Sequence, residues 1–402
     1  MKTVLFLGAG RHQRAAILQA KELGYRVAAI DGNPNALALP DADIGEVVNF
    51  VDIPQAIAFA EKIKPDGVLT ITSDRAVVAV ASVAEALGLP GIGVDVALGL
   101  THKIEMRRRI EAAGLPQPRF GAARTLDEAR AAVEHVGFPN VIKPVDSGGQ
   151  RGVFRLESTA DLEARFDEVL PLSHRGEVII EQFVEGTEMN AMAVVRDGAV
   201  TQLTLSDRHR PPGTGFAVGW IHAYPAALNG DGTAEAESLV ERTVHALGLR
   251  NGIAFPQLIA HPSGEIQVIE VAARIPGGQM ADLVQHAVGV DLVEVALRFA
   301  LGEPVTDDLV IPKFRRPVTI RFLTASPGPL PTGLVKAPAR LEHALAAPGV
   351  VQAASYIVPG ETIRPVTVDG DRRGYVIAVG DTGPEALARA EAAAALVEVD
   401  VE

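Results

Sequence analysis

The stretch from Gly252 to Gly278 reads GIAFPQLIAHPSGEIQVIEVAARIPGG. It predicts two strands joined by a turn at Pro262-Ser263-Gly264, because proline, serine and glycine together favour a hairpin turn. Folding the chain at this turn places Gln257 on the first strand roughly opposite Glu270 on the second. The second strand is otherwise apolar, and an isolated carboxylate in apolar surroundings is costly unless it pairs or binds a metal. The hairpin therefore predicts that Gln257 and Glu270 bind a metal, with a solvated cross-strand polar pair as the alternative.

The chemistry of this pair favours a particular ion. A carboxylate and an amide carbonyl suit Mg²⁺, with Mn²⁺ as a second choice, because Mg²⁺ keeps several waters and the phosphates of a nucleotide as further ligands. Arg274 follows Glu270 by four residues and places a guanidinium at the rim of the hairpin. Such a group can hold a carboxylate or the developing charge of an acyl phosphate. The alternative for Arg274 is a salt bridge to Glu270.

Composition excludes several classes of protein. The chain has 402 residues, enough for two to four domains. Its net charge of −13 argues against a general binder of nucleic acids or anionic membranes. The absence of cysteine excludes disulfides and thiolate metal sites. No apolar run approaches the roughly 18 residues that a membrane span requires, and Met1-Lys2 leads directly into a strand. We therefore expect a cytoplasmic protein without membrane or nucleic-acid partners.

The first 93 residues alternate apolar strands with helices. This alternation predicts parallel βαβ units covered on both faces. The turn Gly8 to Gln13 (GAGRHQ), with Asp31 ending the next strand, imitates a dinucleotide-binding fingerprint. The match is incomplete because Gln13 stands where the third small residue belongs. NAD(P) binding, a plain tight turn and a substrate-side anion pocket remain as alternatives.

The remaining chain predicts a multidomain protein of mixed α/β and α+β class. A basic helical linker ends at Gly114-Leu115-Pro116, where glycine and proline stop the helix. Beyond it, two lobes precede a shift at Pro317 to short strands and turns, typical of a small α+β cap. The predicted boundaries are 1–93 for the βαβ domain, 94–116 for the linker, 117–186 and 187–314 for the two lobes, and 315–402 for the cap.

The segment Asn140 to Phe154 (NVIKPVDSGGQRGVF) combines a lysine with a glycine-rich turn. Lys143 leaves a strand directly before Ser147-Gly148-Gly149. Glycines let backbone N–H groups approach phosphate oxygens, and the lysine supplies a positive charge. The spacing is not that of the common P-loop. The alternative is an ordinary hairpin with a solvated lysine.

Two further segments are candidates for binding. Glu181 to Glu188 (EQFVEGTE) predicts a connector that offers backbone groups to an adenine edge and a carboxylate to ribose hydroxyls, or else an acidic surface loop. Ser206 to Arg210 (SDRHR) can grip a substrate carboxylate, or form a solvated basic loop. The candidate substrate residues are Arg208, His209, Arg210 and His222, although a lone histidine is more often structural.

The order of these motifs resembles the ATP-grasp superfamily of carboxylate–amine or carboxylate–thiol ligases, over nearly the whole chain. The resemblance rests on THKIEMRRRIEAAGLPQP, VIKPVDSGGQRGV, IIEQFVEGTEMNAMAV and IQVIEVAARIPGG. Within the superfamily the chain looks most like the L-amino acid ligase and carboxylate–amine ligase branch. Its carboxyl-terminal segment also resembles the small cap of those ligases and of biotin carboxylase.

The resemblance implies a role for each matching position. It assigns Lys103, Lys143 and the loop Ser147, Gly148 and Gly149 to the ATP phosphates, Glu181 and the Val184 backbone to adenine, Glu188 to ribose, Gln257 and Glu270 to Mg²⁺, and Arg274 to the acyl phosphate. Two positions depart from the pattern. Gln257 stands where Glu is usual, and Ala272 stands where Asn often follows the second metal ligand. We therefore expect a weaker second metal site.

The implied reaction is that of an ADP-forming ligase. A carboxylate attacks the γ-phosphoryl group of ATP, and an amine then captures the acyl phosphate; both substrates are expected to be amino acid-like. An alternative is activation of bicarbonate or formate, as in biotin carboxylase-like or purine-biosynthetic enzymes. An NAD(P)-dependent oxidoreductase and a non-catalytic ATP-binding regulator are further alternatives. A homodimer is expected because dimers are common in this superfamily.

Overall fold

The amino-terminal segment forms a parallel sheet flanked by helices. The structure is a computed structural model that describes residues 1–146, 148, 150–211 and 218–402. The elements of this segment are β1 Thr3–Leu7, α1 Arg14–Glu22, β2 Arg26–Asp31, β3 Ile44–Val47, α2 Ile53–Ile63, β4 Gly67–Leu69 and α3 Asp74–Leu87. The strand order is β3-β2-β1-β4, with parallel pairing throughout. The predicted βαβ arrangement is confirmed, and the short exposed strand β3 was not predicted.

The glycine turn after β1 is closed by its own side chains. Asp31 accepts a hydrogen bond from the Ala9 N–H at 2.9 Å. Gln13 is buried and donates to the carbonyl of Ile71 at 2.9 Å and to the hydroxyl of Thr72 at 2.6 Å. Because the carboxyl ends of parallel strands meet at one edge of a sheet, Gln13 joins the loops after β1 and β4. These contacts favour a tight turn over a dinucleotide site.

A helical linker and a second, antiparallel sheet follow. The elements are α4 Val94–Gly99, α5 Lys103–Ala112, β5 Phe120–Ala123, α6 Leu126–Val136, β6 Asn140–Pro144, β7 Phe154–Leu156, α7 Thr159–Val169 and β8 Val178–Gln182. The strand order is β5-β8-β6-β7, and the apolar faces of α6 and α7 pack on this sheet. We call residues 117–186 the lid. Ser147 and Gly149, predicted to contact phosphate, lie outside the described residues.

The largest sheet is antiparallel, in the order β13-β12-β9-β10-β11-β14-β18-β16, where β14 is Val318–Phe322, β18 is Gly374–Val379 and β16 is Val350–Ser355. Its first part comprises β9 Thr187–Arg196, β10 Ala199–His209, β11 Ile221–Tyr224, α8 Gly230–Ala246, β12 Gly252–Ala260, β13 Ile266–Ala272, α9 Met280–Val288, α10 Leu292–Ala300 and α11 Asp307–Val310. The predicted hairpin is β12–β13, and Gln257 pairs with Glu270 in its register, next to a bulge. The register that the sequence predicted for these two residues is confirmed.

The carboxyl-terminal segment extends the same sheet. Its elements are β14 Val318–Phe322, β15 Gly333–Leu334, α12 Glu342–Leu345, β16 Val350–Ser355, β17 Thr362–Ile363, β18 Gly374–Val379 and α13 Gly383–Ala394. Strand β14 pairs with β11, so backbone hydrogen bonds cross the predicted boundary at residue 314. The mixed α/β fold class is confirmed, and the division into five segments stays a prediction. No helix within the described ranges has the length and apolar character needed to cross a membrane.

Candidate active site

A cleft of about 500 Å³ lies where the lid, the large sheet, the amino-terminal loops and the carboxyl-terminal segment meet. Most of the predicted site residues line it: Lys103, Lys143, Gly148, Glu181, Val184, Glu188, Arg208, Arg210, His222, Gln257, Glu270 and Arg274. His209 does not line this cleft, because successive side chains of a strand point to opposite faces and Arg208 faces the cleft. Residues from distant parts of the sequence thus converge on one cavity.

The floor of the cleft is a row of polar side chains across β13, β12 and β9. Glu270, Gln257 and Asn190 are register partners. The Gln257 amide donates through Nε2 to Oδ1 of Asn190 at 3.3 Å, and Asn190 Nδ2 lies 3.1 Å from Nδ1 of His222. Asn190 was not predicted as a site residue, since an asparagine within an apolar strand gave no motif. Its amide connects the predicted metal position to the predicted substrate position.

Lys103, the first residue of α5, reaches β13, which we call the metal strand because it carries the predicted metal ligand Glu270. Its Nζ lies 3.2 Å from Oε1 of Glu270. Burial lowers the pKa of Lys103, but the negative charges of Glu270, Asp74 and Glu181 outweigh this effect and raise it overall. Burial raises the pKa of Glu270, and the positive charges of Lys103 and Lys143 more than reverse that effect, so its pKa is lowered. Glu270 is therefore an ionised carboxylate at neutral pH.

The donor set around Glu270 fits Mg²⁺. Within the part of the chain that the structure describes, no group of three or more histidine, aspartate or glutamate side chains converges as a metal site. Mg²⁺ is commonly held by one or two carboxylates plus substrate phosphates and water, rather than by a cage of protein ligands. Because Nε2 of Gln257 faces Asn190, the Oε1 of Gln257 is the amide atom suited to a metal, together with a carboxylate oxygen of Glu270.

Replacement of Gln257 by glutamate tests this metal position. The added carboxylate lies opposite Glu270, and ligand charge strengthens cation binding, so a bound divalent cation is expected to be held about tenfold more tightly, which corresponds to about 1.4 kcal/mol. The measurement is the Mg²⁺ concentration that gives half-maximal ADP formation. Without metal, the two carboxylates repel each other, so the thermal midpoint in EDTA is expected to fall. An unchanged Mg²⁺ requirement would remove position 257 from the metal site.

The lid sheet presents an ion-paired cluster. Lys143 Nζ lies 2.5 Å from Oε2 of Glu181, and Arg107 donates through Nε to Oε1 of Glu181 at 2.7 Å. Burial raises the pKa of Glu181, but Arg107 and Lys143 lower it to about 2. Burial lowers the pKa of Lys143, and Arg107 lowers it further against the opposing charge of Glu181. The Glu181 carboxylate thus orients Lys143 towards the cleft.

Arg107 holds the site together, although no sequence pattern marked it as a functional residue. It lies on α5 and is only 1% exposed. Besides Glu181, its guanidinium donates to the carbonyls of Val268 at 2.8 Å and Ile269 at 2.6 Å, which directly precede Glu270. In the sequence Arg107 was one of three adjacent arginines, and a lone basic run gives no sign of which member is buried. One guanidinium therefore joins the lid to the metal strand.

Glu188, predicted to bind ribose, is ion-paired with Arg208 and Arg210. Burial raises the pKa of Glu188, and the two guanidinium groups more than reverse that effect, so its pKa is lowered.

Arg208 and His222 are register partners on β10 and β11. Burial and the charges of Arg372 and Arg208 lower the pKa of His222 well below its ordinary value, so its imidazole is neutral at pH 7.

Arg274 does not pair with Glu270, so the salt bridge offered as an alternative is wrong. Its guanidinium instead donates to Asp74, through Nε to Oδ1 at 2.7 Å and through Nη2 to Oδ2 at 2.5 Å. Asp74 is the first residue of α3 in the amino-terminal domain and was not predicted as a site residue. Gly148 of the lid lies close to the same carboxylate. A Cβ atom added to Gly148 would lie only 2.8 Å from Oδ2 of Asp74, so a larger residue does not fit there without a shift of Asp74. A two-bonded guanidinium of this kind is fixed in orientation.

The carboxyl-terminal segment supplies a further wall of the cleft. Arg372, ion-paired with Asp369, lies over the ring of Phe322 at 4.1 Å, and His222 meets the same ring edge-on at 5.5 Å. Arg11 from the amino-terminal turn lies over the ring of Tyr356 at 5.0 Å. Phe322, Tyr356, Asp369 and Arg372 stand outside every motif recognised in the sequence, whereas Arg11 lies in the GAGRHQ turn and His222 was a predicted substrate residue. The aromatic and cationic groups of these residues line one part of the cleft.

Two family models match the chain. Residues 102–307 match the model described as carbamoyl-phosphate synthase L chain, ATP binding domain. Residues 322–402 match the model described as L-amino acid ligase C-terminal domain 2. The match to this ATP-binding domain agrees with the lysines, glutamates and arginine that line the cleft. The chain belongs to the ATP-grasp family of carboxylate–amine ligases.

Two curated proteins and one solved structure are also similar to this chain. The chain is 30% identical over 308 residues to formate-dependent phosphoribosylglycinamide formyltransferase of Solidesulfovibrio magneticus, covering 75% of this chain and 76% of the relative. It is 30% identical over 298 residues to an uncharacterized protein of Sinorhizobium fredii, covering 72% of this chain but only 59% of that protein. The fold matches the crystal structure of L-amino acid ligase from Bacillus licheniformis with a TM-score of 0.84, 21% identity and coverage of 100% and 99% of the two chains.

Proposed function

We propose that this protein uses Mg-ATP to join the carboxylate of an amino acid to an amine, releasing ADP and phosphate. Amino acids are favoured as substrates because part of the cleft is lined by the carboxyl-terminal segment. Tyr356, Asp369 and Arg372 all belong to the segment 322–402 that matches the L-amino acid ligase model. The segment that contacts the substrates thus resembles that of enzymes acting on amino acids.

The nucleotide is expected to lie between the lid and the large sheet. Lys143, oriented by Glu181, and Lys103 supply positive charge for the phosphates, and Gly148 lets the lid backbone approach them. Val184 lies in the connector after β8, where backbone groups can read the adenine edge. Glu188 would exchange part of its pairing with Arg208 and Arg210 for hydrogen bonds to ribose. Charge neutralisation and positioning are the main sources of acceleration in phosphoryl transfer.

Glu270 and Gln257 would hold Mg²⁺, which neutralises phosphate charge when it is bound. Arg274, fixed by Asp74, presents its guanidinium at the end of β13 where the acyl phosphate would form. The substrate carboxylate oxygen attacks the γ-phosphorus and ADP leaves. The amine nitrogen then attacks the acyl carbon, phosphate leaves, and the nitrogen loses a proton. Closure of the lid keeps water from the acyl phosphate.

Formate activation is the second candidate. A curated relative that is 30% identical carries the name formate-dependent phosphoribosylglycinamide formyltransferase. The arginines at the substrate end of the cleft, Arg208, Arg210 and Arg372, would suit a substrate phosphate as well as a carboxylate. This candidate differs from the first in both substrates. A homodimer and a cytoplasmic location stay predictions for either candidate.

ADP formation by the purified protein with Mg-ATP distinguishes the two candidates. One arm contains pooled amino acids, a second contains formate with phosphoribosylglycinamide, and a third contains bicarbonate with amines. We expect ADP formation only in the first arm, together with a new peptide bond detected by mass spectrometry. Activity confined to the second or third arm would replace the amino acid proposal. ATP binding without ADP formation in any arm would favour a regulatory protein.

A further inference from the structure

A smaller cavity of about 190 Å³ adjoins the cleft. It lies between α1, α9 and α10 and shares Thr72, Pro276 and Gln279 with the cleft itself. We call it the side pocket. The small residues Ala15, Ala16 and Ala281 leave room on its walls. Its volume suits one amino acid side chain.

The carboxylates of the main cleft are each neutralised by basic side chains. Glu270 pairs with Lys103, Glu181 with Lys143 and Arg107, Glu188 with Arg208 and Arg210, Asp74 with Arg274, and Asp369 with Arg372. The main cleft therefore has its negative charges compensated before any substrate arrives, and its cationic groups are suited to anionic parts of the substrates.

The side pocket has the opposite character. Two aspartates line it, and no lysine or arginine of the described chain does so. Asp282 accepts a hydrogen bond from Nε2 of Gln279 at 2.9 Å, and Asp291 accepts one from Gln19 while capping α10. Burial raises the pKa of Asp282, although hydrogen bonds from Gln352 and Gln279 and the charge of His286 oppose this effect. The hydrogen-bond donors to Asp282 are neutral amides and no lysine or arginine among the described residues lines the pocket, so this carboxylate favours a cation as an added partner.

The link between the two cavities is held in an unusual backbone conformation. Gln279 has a φ of 58°, which is uncommon for a residue other than glycine and is often found at functional sites. Its Oε1 lies 3.5 Å from the hydroxyl of Tyr356, whose ring lies under Arg11. Gln279 thus connects Asp282 in the side pocket to a guanidinium in the main cleft.

We propose that the side pocket binds the cationic side chain of a basic amino acid substrate, with its ammonium or guanidinium group at Asp282 and its α-carboxylate near Arg11. The proposal rests on the amino acid ligase function proposed above and adds the chemical class of one substrate. A carboxylate in a restricted cavity discriminates a charged side chain from a neutral one of equal length, because only the charged one compensates the buried charge.

The test compares matched pairs of amino acids in the ADP-formation assay: arginine with citrulline, and lysine with norleucine. We expect the wild-type protein to prefer the basic member of each pair. Replacement of Asp282 by asparagine is expected to raise KM for the basic members about 10- to 100-fold, the usual loss of a charged hydrogen bond. The neutral members should change by less than about twofold. Glu294→Gln is the control, since Glu294 lies on the adjacent helix α10 and pairs with Arg298.

Binding of arginine and citrulline to the protein with MgADP, measured by calorimetry, provides a readout independent of turnover. A KM for arginine and lysine that is unchanged by Asp282→Asn would overturn the side-pocket proposal and leave the ligase function standing. No ADP formation with any amino acid, together with activity on formate or bicarbonate, would overturn the proposed function. If the ligase function fails in this way, the side-pocket proposal is tested by binding alone, and failure of arginine to bind in calorimetry would overturn it.

Discussion

Replacement of Glu270 by glutamine is expected to reduce ADP formation about 1,000-fold. If Glu270 holds Mg²⁺ as proposed, its loss removes a cation that stabilises the phosphate charge in the transition state by several kcal/mol. The substituted amide has the same shape but lacks the charge that pairs with Lys103 at 3.2 Å. Lys103 would then be buried beside a neutral group, so its pKa is expected to fall. The measurement is steady-state ADP formation at saturating ATP across a range of Mg²⁺ concentrations.

Glu265→Gln is the matched control for this experiment. Glu265 lies on the turn of the same β12–β13 hairpin, but it is exposed and outside the cleft. We expect its substitution to change ADP formation by less than about twofold, as for most surface substitutions. Partial recovery of Glu270→Gln at high Mg²⁺ would indicate weakened metal binding. Near wild-type activity of Glu270→Gln at low Mg²⁺ would exclude Glu270 as a metal ligand.

The sequence was sufficient to predict the β12–β13 hairpin because its signals are local. The turn at Pro262-Ser263-Gly264 fixes where the chain reverses, and strand periodicity then places Gln257 opposite Glu270, as the register confirms. The β9–β10 hairpin carries the same kind of local signal, since its turn at Asp197-Gly198 has the positive φ values of 54° and 89° that this residue pair favours. The parallel amino-terminal sheet was predictable for a similar reason, since each βαβ unit is written in consecutive residues.

The partners of the site's charges were not predictable, because they depend on how separate domains are packed. Arg274 pairs with Asp74, 200 residues earlier, and Arg107 pairs with Glu181, 74 residues later. Sequence spacing contains no information about such pairs without an alignment. The nearest acid, Glu270, was therefore offered as the partner of Arg274, and the structure shows that this was wrong. The motifs identified the candidate site residues, and the long-range packing determined which partners hold them in place.

Replacement of Arg107 by methionine is the second prediction with a large effect, and it tests how lid and metal strand are held together. Methionine fills similar space but leaves Glu181 with one fewer cation and the carbonyls of Val268 and Ile269 without their donor. Breaking a buried ion pair by removing one partner costs about 3–5 kcal/mol of unfolding free energy. Groups that orient metal ligands typically contribute 10- to 100-fold, so we expect kcat/KM to fall about 100-fold.

The loss of stability is expected to depend on pH in a defined direction. Arg107 and Lys143 lower the pKa of Glu181 to about 2 in the folded protein, against about 4.3 for an unperturbed glutamate. The ionised carboxylate therefore adds stability above the unfolded pKa, and this stability is lost as the pH falls towards 2. Without Arg107 the folded pKa is less depressed. The difference between wild type and variant in urea unfolding should be largest above about pH 5 and decrease towards pH 2.

Two further variants separate positioning by Arg107 from a general loss of stability. Arg108→Met is the matched control, since Arg108 is the next residue on α5, has a side chain that is 63% exposed, and pairs across the helix surface with Glu105. Its substitution should cost less than about 1 kcal/mol.

Arg107→Lys keeps a positive charge near Glu181, but a compact ammonium cannot reproduce the guanidinium fork that spans the carboxylate and two carbonyls. We expect it to recover much of the stability while kcat stays at least about tenfold low, because the strand before Glu270 is no longer held. Full recovery of both properties by lysine would mean that the charge of Arg107 matters and its link to the metal strand does not.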